Sequence, residues 1–417
     1  GGHLAMLPRD AGAMRVAIVA ESFLPQMNGV VNSVLRVVDH LESRGHDVIV
    51  VAPDTPRGDA HAPTLVGRSV PVHLVPAVRV PKVTSLPVGV PMPSMYRALR
   101  DFEPDVVHLA SPFVVGLAGA YAARRLQIPS VAVFQTDVAG FAESYGLSVA
   151  SRAAWRYTRH LHEQCDRTLA PSTATMAALA EHDIPRVFRW ARGVDLSQFS
   201  PRRRDEGFRA AWGAQGRLVV GFVGRLAPEK HVERLQALAD RSGPGGDIQL
   251  VIVGDGPERP LLEAQLPSAV FTGALSGEEL AQAYASLDVF VHAGEFETFC
   301  QSIQEAQASG VPTIGPRAGG PVDLIQEGYN GLLLDVDSFV EDLPNAVDAL
   351  LNPEIHAELR DNARASISSK TWTALCEQLV GYYEEVLEDT RRVPLTILGQ
   401  RPELPRWAAR ALGARVA

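Results

Sequence analysis

Two cations and two carboxylates, in two short stretches, are the residues of this chain best equipped to meet an anion and hydroxyl groups. Arg225 and Lys230 lie in Gly224-Arg-Leu-Ala-Pro-Glu-Lys-His231. About 70 residues later, Glu297 and Glu305 stand with seven residues between them in Ala293-Gly-Glu-Phe-Glu-Thr-Phe-Cys-Gln-Ser-Ile-Gln-Glu-Ala-Gln-Ala-Ser-Gly-Val-Pro312. Two fixed cations are what a leaving diphosphate needs as its bond to a sugar breaks. One carboxylate can hold a sugar's hydroxyls and the second a nucleoside's ribose. Taken alone, each pair also reads as ordinary solvated charge, so the elements around them decide.

Leu287–His292 is an apolar, β-branched run that predicts a buried strand. After it, Ser302–Ser309 is rich in helix formers, and Gly310 with Pro312 stops that helix. Glu297 therefore falls in the turn or first residues of a helix, with Glu305 roughly two turns further on. A helix start has unpaired N–H groups and a positive dipole end, which suit a phosphate. The cation pair follows the predicted strand Arg217–Gly224, in the place where open α/β sheets bind ligands.

The same alternation runs through the chain. Arg15–Ala20, a loop ending at Asn28-Gly29, a helix over Val30–Ser43 and the strand Gly45–Pro53 form a βαβ unit. Gly29 would let backbone approach a ligand there. Further strands are expected at Asp105–Ala110, Pro129–Asp137, Asp166–Ser172, Ile248–Pro257 and Asn330–Asp335. Ser172 reads as the N-cap of a helix over Thr175–Glu181. Two successive α/β halves predict two doubly wound, Rossmann-like domains facing a cleft. Residues 14–196 form the first, expected to bind the acceptor, and 197–388 the second, expected to bind the nucleotide sugar. Residues 1–13 read as an expression remnant or disordered leader, and 389–417 as a tail.

Composition narrows the function. The 417 residues are 46% hydrophobic and 21% charged, which is ordinary for a globular protein. Net charge is −9, split as +2 over residues 1–200 and −11 over 201–417, which argues against nucleic acid as a partner. Cys165, Cys300 and Cys376 show no metal-ligand or paired spacing and read as reduced thiols of a cytoplasmic protein. No apolar run approaches the roughly 18 residues of a spanning helix. The helix predicted over Ser151–Gln164 puts Arg152, Arg156 and Arg159 on one face, with Trp155 and Tyr157 between them. That face is either solvated or a dock for anionic lipid headgroups at a membrane surface.

The glutamate pair with its flanking strand, and Gly-Arg-Leu-x-Pro-Glu-Lys before it, resemble the signature of family-four retaining glycosyltransferases of the GT-B fold. The resemblance implies a sugar-nucleotide donor whose diphosphate is clamped by Arg225 and Lys230. By the same resemblance, backbone N–H groups of Thr298, Phe299 and Cys300 add to the clamp. Glu297 would take sugar hydroxyls, Glu305 the ribose, and the loop around Leu275 the base. The family usually places a histidine where this chain has Gln135, in Phe134-Gln-Thr-Asp137. Gln135 can hydrogen-bond a sugar hydroxyl but carries no charge, and Asp137 is a candidate to share that work. No cofactor and no metal is implied. Asp335-Val-Asp337 matches a metal-binding pattern of a different transferase fold and reads as chance, and His108 and His292 read as structural histidines.

Val-Ala-Ile-Val-Ala-Glu-Ser-Phe-Leu-Pro-Gln, Val-Val-His-Leu-Ala-Ser-Pro and Gly-Glu-Phe-Glu-Thr-Phe-Cys-Gln resemble one actinobacterial subgroup. Its members are GDP-mannose-dependent α-mannosyltransferases that mannosylate glucuronosyl diacylglycerol at the cytoplasmic membrane. The subgroup implies GDP-mannose as donor, a glycolipid acceptor, glycolipid and lipomannan synthesis, and a peripheral place at the inner face of the membrane. Nothing in the glutamate motif separates guanosine from uridine. A transferase using a UDP-sugar on a soluble acceptor, a GT-B sugar-nucleotide epimerase and a binding or scaffold role remain open at this point.

Overall fold

Near-continuous apolar runs dictate strands buried on both faces, and the structure has two parallel sheets built from them. The structure, a computed structural model, describes residues 12–21, 23, 29–54, 70–75, 77–79, 87–89, 93–135 and 148–392. Asp137, most of the leader and the tail beyond Arg392 lie outside them. By their contacts the described residues group into two units. One holds the residues through Ala170, Ala178–Trp190 and those from Cys376 on, and the other is Pro171–Ala177 with Ala191–Leu375.

In the first unit the strands are β1 (Arg15–Ala20), β2 (Asp47–Pro53), β3 (Val72–Val75), β4 (Ala77–Arg79), β5 (Pro87–Gly89), β6 (Val106–Ala110), β7 (Ser130–Val133), β8 (Arg167–Ala170) and β9 (Val187–Arg189). Seven of them form a sheet in the order β3-β2-β1-β6-β7-β8-β9, and β4 pairs with β5 in a small antiparallel ribbon. The order reverses between β1 and β6, where Val16 pairs with Val106 and Ala20 with Ala110. Beneath lies a core of Val19, Val51, Leu99, Leu109 and Tyr121.

The second unit repeats the scheme with β10 (Leu218–Val223), β11 (Ile248–Val253), β12 (Val270–Gly273), β13 (Val289–Val291), β14 (Thr313–Pro316) and β15 (Gly331–Leu334). Their order is β12-β11-β10-β13-β14-β15, with every neighbour parallel. Here the reversal falls between β10 and β13, held by Val220–Val289 and Gly221–Phe290 pairing. Two cores, one with Tyr284, Phe290 and Ile303 and one with Phe222, Leu250 and Phe339, fill the two faces. Both sheets are doubly wound, and a strand-order reversal is where such sheets bind ligands.

Two sequence expectations change. The helix Trp372–Arg392 does not stay with the second domain, because from Cys376 it belongs to the first unit. Leu379, Tyr383 and Val386 are buried along it, the Tyr383 hydroxyl meets His108 Nδ1 at 2.6 Å, and Glu385 pairs with Arg167. The sequence also reads as a helix over Val232–Asp240, and the structure forms 3₁₀ turns there, at Val232–Arg241. Ser172 caps as expected, its hydroxyl accepting from Thr175 N–H at 3.2 Å, with the helix at Thr173–Glu181.

Candidate active site

Both motif loops leave the sheet at the reversal of the second unit, one after β10 and the other after β13. Sequence neighbours far apart are thereby brought into contact. The Lys230 ammonium donates to Glu297 Oε1 and pairs with it, both side chains being mostly buried. Burial alone would lower Lys230, but the charge and hydrogen bond of Glu297 outweigh it, and the ammonium is held above its ordinary range. Arg225, in the same loop, is exposed, and its guanidinium has no hydrogen-bond or ion-pair partner among the described residues.

Close backbone approach makes this geometry. A Cβ on Gly294 would sit 2.8 Å from Glu229 O and 3.2 Å from Lys230 Cα, so only glycine lets the two loops touch. From the other side Gly320 presses on the same loop: its N–H donates to Glu297 O at 2.7 Å, and a Cβ there would lie 2.3 Å from Phe299 O. Arg234 ties the loop's start, donating to Ala293 O at 2.6 Å and to the two oxygens of Glu295 at 2.8 and 3.3 Å. None of these supports was singled out from the sequence, although the Gly319-Gly320 doublet, separated by two residues from the end of β14, was a visible signal of close approach.

Glu297 lies ahead of the helix rather than in it, since the helix spans Gln301–Ala308. Cys300 enters that helix at φ 75°, a left-handed conformation unusual for a residue with a side chain. The helix start carries no side-chain cap, so the tip formed by Thr298, Phe299 and Cys300 is suited to an anion. Glu305, one turn inside, has its carboxyl pushed up to about 7 by burial, with the neighbouring Tyr284 hydroxyl acting against the rise. Leu275 is half-buried against the cluster that also holds Tyr284, Cys300 and Ile303. Leu275, Glu305 and residues 298–300 thus lie in the same unit as Arg225 and Lys230, whereas Gly29 belongs to the first unit.

His292 lies beside the ion pair. It is 2% exposed with Nε2 3.6 Å from Glu297 Oε1, and burial pulls it down to about 4, so it is a neutral ring at the foot of the pair. Its nitrogen, a Glu297 oxygen and the Cys300 sulfur lie within 4.8 Å of one another. That is a ligand-like grouping the sequence spacing concealed. Burial holds the Cys300 thiol up at about 12 and Lys230 already neutralises Glu297, so the donor set is poor for a metal cation. The other histidine, His108, is the structural residue expected, bonded to Tyr383. Asp335 of the Asp-x-Asp pattern pairs with Arg317 at 2.9 Å.

In the first unit, Gln135 follows β7 and is buried, its Nε2 donating to Ser33 Oγ at 3.3 Å. Ser33 belongs to the helix Gly29–Ser43, whose first residue is Gly29. A cavity beside Gln135 is lined by Ser111, Phe113, Phe134, Tyr157 and His162. The helix Val114–Arg125 nearby cannot offer its start to an anion, because Glu21 fills it. The Glu21 carboxylate accepts from Phe113, Val115 and Gly116 N–H at 2.5, 3.1 and 2.7 Å. On the helix Ser148–Glu163, Arg152 and Arg156 are exposed, whereas Arg159 pairs with Glu163 at 2.8 Å and Asp183 at 3.2 Å. Trp155 is not on that face: it is buried and stacked on His182 with ring centroids 3.8 Å apart.

The chain is similar to known proteins over most of its length. The pattern described as Glycosyltransferase Family 4 matches residues 27–198, and that described as Glycosyl transferases group 1 matches residues 205–366. The chain is 61% identical over 374 residues to a GDP-mannose-dependent α-mannosyltransferase of Mycolicibacterium smegmatis, covering 90% of this chain and 98% of the relative. It is 55% identical over 406 residues to a protein of the same name from Corynebacterium glutamicum, covering 96% and 97%. Among solved structures, Anabaena HepE in complex with UDP superposes with a TM-score of 0.70 at 20% identity, over 89% of this chain and 100% of that one. That likeness supports the fold, which is of the GT-B class. The chain belongs to glycosyltransferase family 4 and is a glycosyltransferase.

Proposed function

We propose that the protein moves α-mannose from GDP-mannose to a glycolipid acceptor such as glucuronosyl diacylglycerol, with retention of configuration, in cell-envelope glycolipid synthesis. The Lys230–Glu297 pair beside the uncapped helix tip carries this reading. The names of the relatives above support the donor and the sugar. An acidic lipid acceptor agrees with the exposed Arg152 and Arg156, and a peripheral position at the membrane's inner face would follow from it.

The chemistry follows from charge. As donor enters, its diphosphate takes Lys230, Arg225 and the N–H groups of residues 298–300, and Glu297 is left to accept from the sugar hydroxyls. The bond from the anomeric carbon to the phosphate oxygen then breaks, and that oxygen takes the leaving electron pair. The acceptor hydroxyl adds on the same face, passing its proton to the departing phosphate oxygen. The carboxylates hold position and charge and attack nothing, unlike the pair in retaining hydrolases. Within the second unit Glu305 would orient the ribose and Leu275 would flank the base; Gln135, Asp137 and Gly29 are the residues the first unit would contribute by the family resemblance. No metal enters, because cationic side chains carry the developing charge.

The test is product formation from a panel of sugar nucleotides and acceptors. GDP-mannose with glucuronosyl diacylglycerol should give an α-linked product, and Lys230→Ala and Glu297→Ala should each lower the rate by about 10²–10³. Transfer from UDP-sugars alone, or rates unchanged in both variants, would sink the reading.

A further inference from the structure

The cationic set counted so far is short by one charge. Lys230 and Glu297 neutralise each other, which leaves Arg225 alone against a leaving diphosphate of more than one negative charge. A further cation lies within the same unit, a few residues ahead of the domain boundary read from the sequence at 196/197. Arg192 has its Nε buried and without a hydrogen-bond partner. Burial pulls the guanidinium below its ordinary value, and the charge acting against that is Glu297. Nothing else in its surroundings compensates it, and an uncompensated buried charge is costly to the fold.

Its backbone is held firmly in place. Gln301, the first residue of the helix, donates through Nε2 to Gly193 O at 3.0 Å, joining the Arg192-Gly193 peptide to the helix tip. A Cβ on Gly193 would meet Trp372 Cα at 2.5 Å, and Val194 N–H donates to Lys370 O at 2.9 Å. The residue is therefore pinned next to the 298–301 tip, its buried Nε without a hydrogen-bond partner and its one opposing charge, Glu297, already paired with Lys230. We propose that Arg192 is a donor-binding residue of the transfer reaction, its guanidinium receiving the distal phosphate of the departing nucleoside diphosphate beside Lys230 and Arg225. Fixed, planar and always charged, an arginine suits that oxygen better than a mobile surface lysine would. The inference rests on the donor reading above only in that a nucleoside diphosphate leaves from this site; which base it carries is immaterial.

The experiment compares a nucleoside diphosphate with its monophosphate, by calorimetry, on the full chain. GDP and GMP are used, and UDP and UMP beside them, so that a failure of the guanosine assignment shows in the wild type. Arg192→Met should weaken the diphosphate at least about tenfold while leaving the monophosphate within twofold, the loss of one charge-assisted contact. Arg192→Lys, which keeps the charge but not the planar fork, should lose less and in the same selective way. It decides the matter should the Met variant not fold. A ratio of diphosphate to monophosphate affinity equal to that of the wild type in these variants, whether both ligands weaken or neither does, would overturn the proposal.

Discussion

Gly320→Ala isolates the support of the glutamate loop from its chemistry. Gly320 sits at φ −59° and ψ −35°, a conformation any residue adopts, so the substitution adds no backbone strain of its own. What it adds is a methyl 2.3 Å from Phe299 O and 2.5 Å from Phe299 C and Cα, where ordinary contact begins at 3.4 Å. The backbone carrying Glu297 to Cys300 must therefore retreat by about 1 Å, and a misplacement of that size costs about 10² in rate. Overpacking of this kind also destabilises by about 1–3 kcal/mol. Steady-state kcat/KM for sugar transfer, read with Tm, is the assay. Gly381→Ala serves as the control, because nothing lies within 4 Å of a Cβ there, and a helical glycine-to-alanine change should stabilise by about 0.5–1 kcal/mol. Gly320→Ala within threefold of wild-type kcat/KM would refute the argument that this contact sets the loop.

Other expectations follow from single features of the site. Cys300→Gly and Cys300→Ala both delete the thiol, but only alanine must hold the left-handed φ of 75°. The glycine variant should be the more stable by about 1 kcal/mol, read as a Tm difference of about 2–4 °C, and equal melting would remove the strain. Glu305, raised to about 7, favours its protonated form in the fold. Its contribution is thus fully present below the unfolded value near 4.5 and is lost as pH climbs through 7. Wild type should lose stability relative to Glu305→Gln across that window, and parallel melting curves from pH 4.5 to 7.5 would contradict it. Nucleotide affinity should rise over the same window if the ionised carboxylate accepts from ribose, and Glu305→Gln should flatten that rise. Chelation by EDTA should leave the transfer rate within twofold, whereas a large loss restored by a divalent cation would show that the side-chain cations do not suffice.

Much of the fold was legible because both sheets are buried on both faces. Continuous runs such as Arg15–Ala20 and Leu218–Val223 can be strands of little else, and β1 carries the expected bounds. The edge strands β3 and β9 were missed, being four and three residues long and too short to show a period. The clamp and glutamate residues were legible through motif spacing, and the structure gathers Arg225, Lys230, Glu297 and Glu305 into one unit. Their supports were not, since a contact such as Lys230–Glu297 spans 67 residues and Phe113–Glu21 spans 92. His292 stood at the end of an apolar run with no spacing to tie it to Glu297, and Arg192 sat just ahead of the domain boundary read from the sequence. The last helix was assigned to the wrong unit because an amphipathic stripe says that it packs, and not on what.

Direct observation of the nucleoside diphosphate on the protein decides whether the two cations and the helix tip receive the leaving group. A crystal structure with GDP should place its distal phosphate within hydrogen-bond reach of Lys230 Nζ and of the backbone N–H groups of residues 298–300, with Arg225 turned onto it. The Lys230–Glu297 pair should be opened in that complex, freeing the carboxylate for sugar. A diphosphate bound away from these groups, with that pair still closed, would contradict the account.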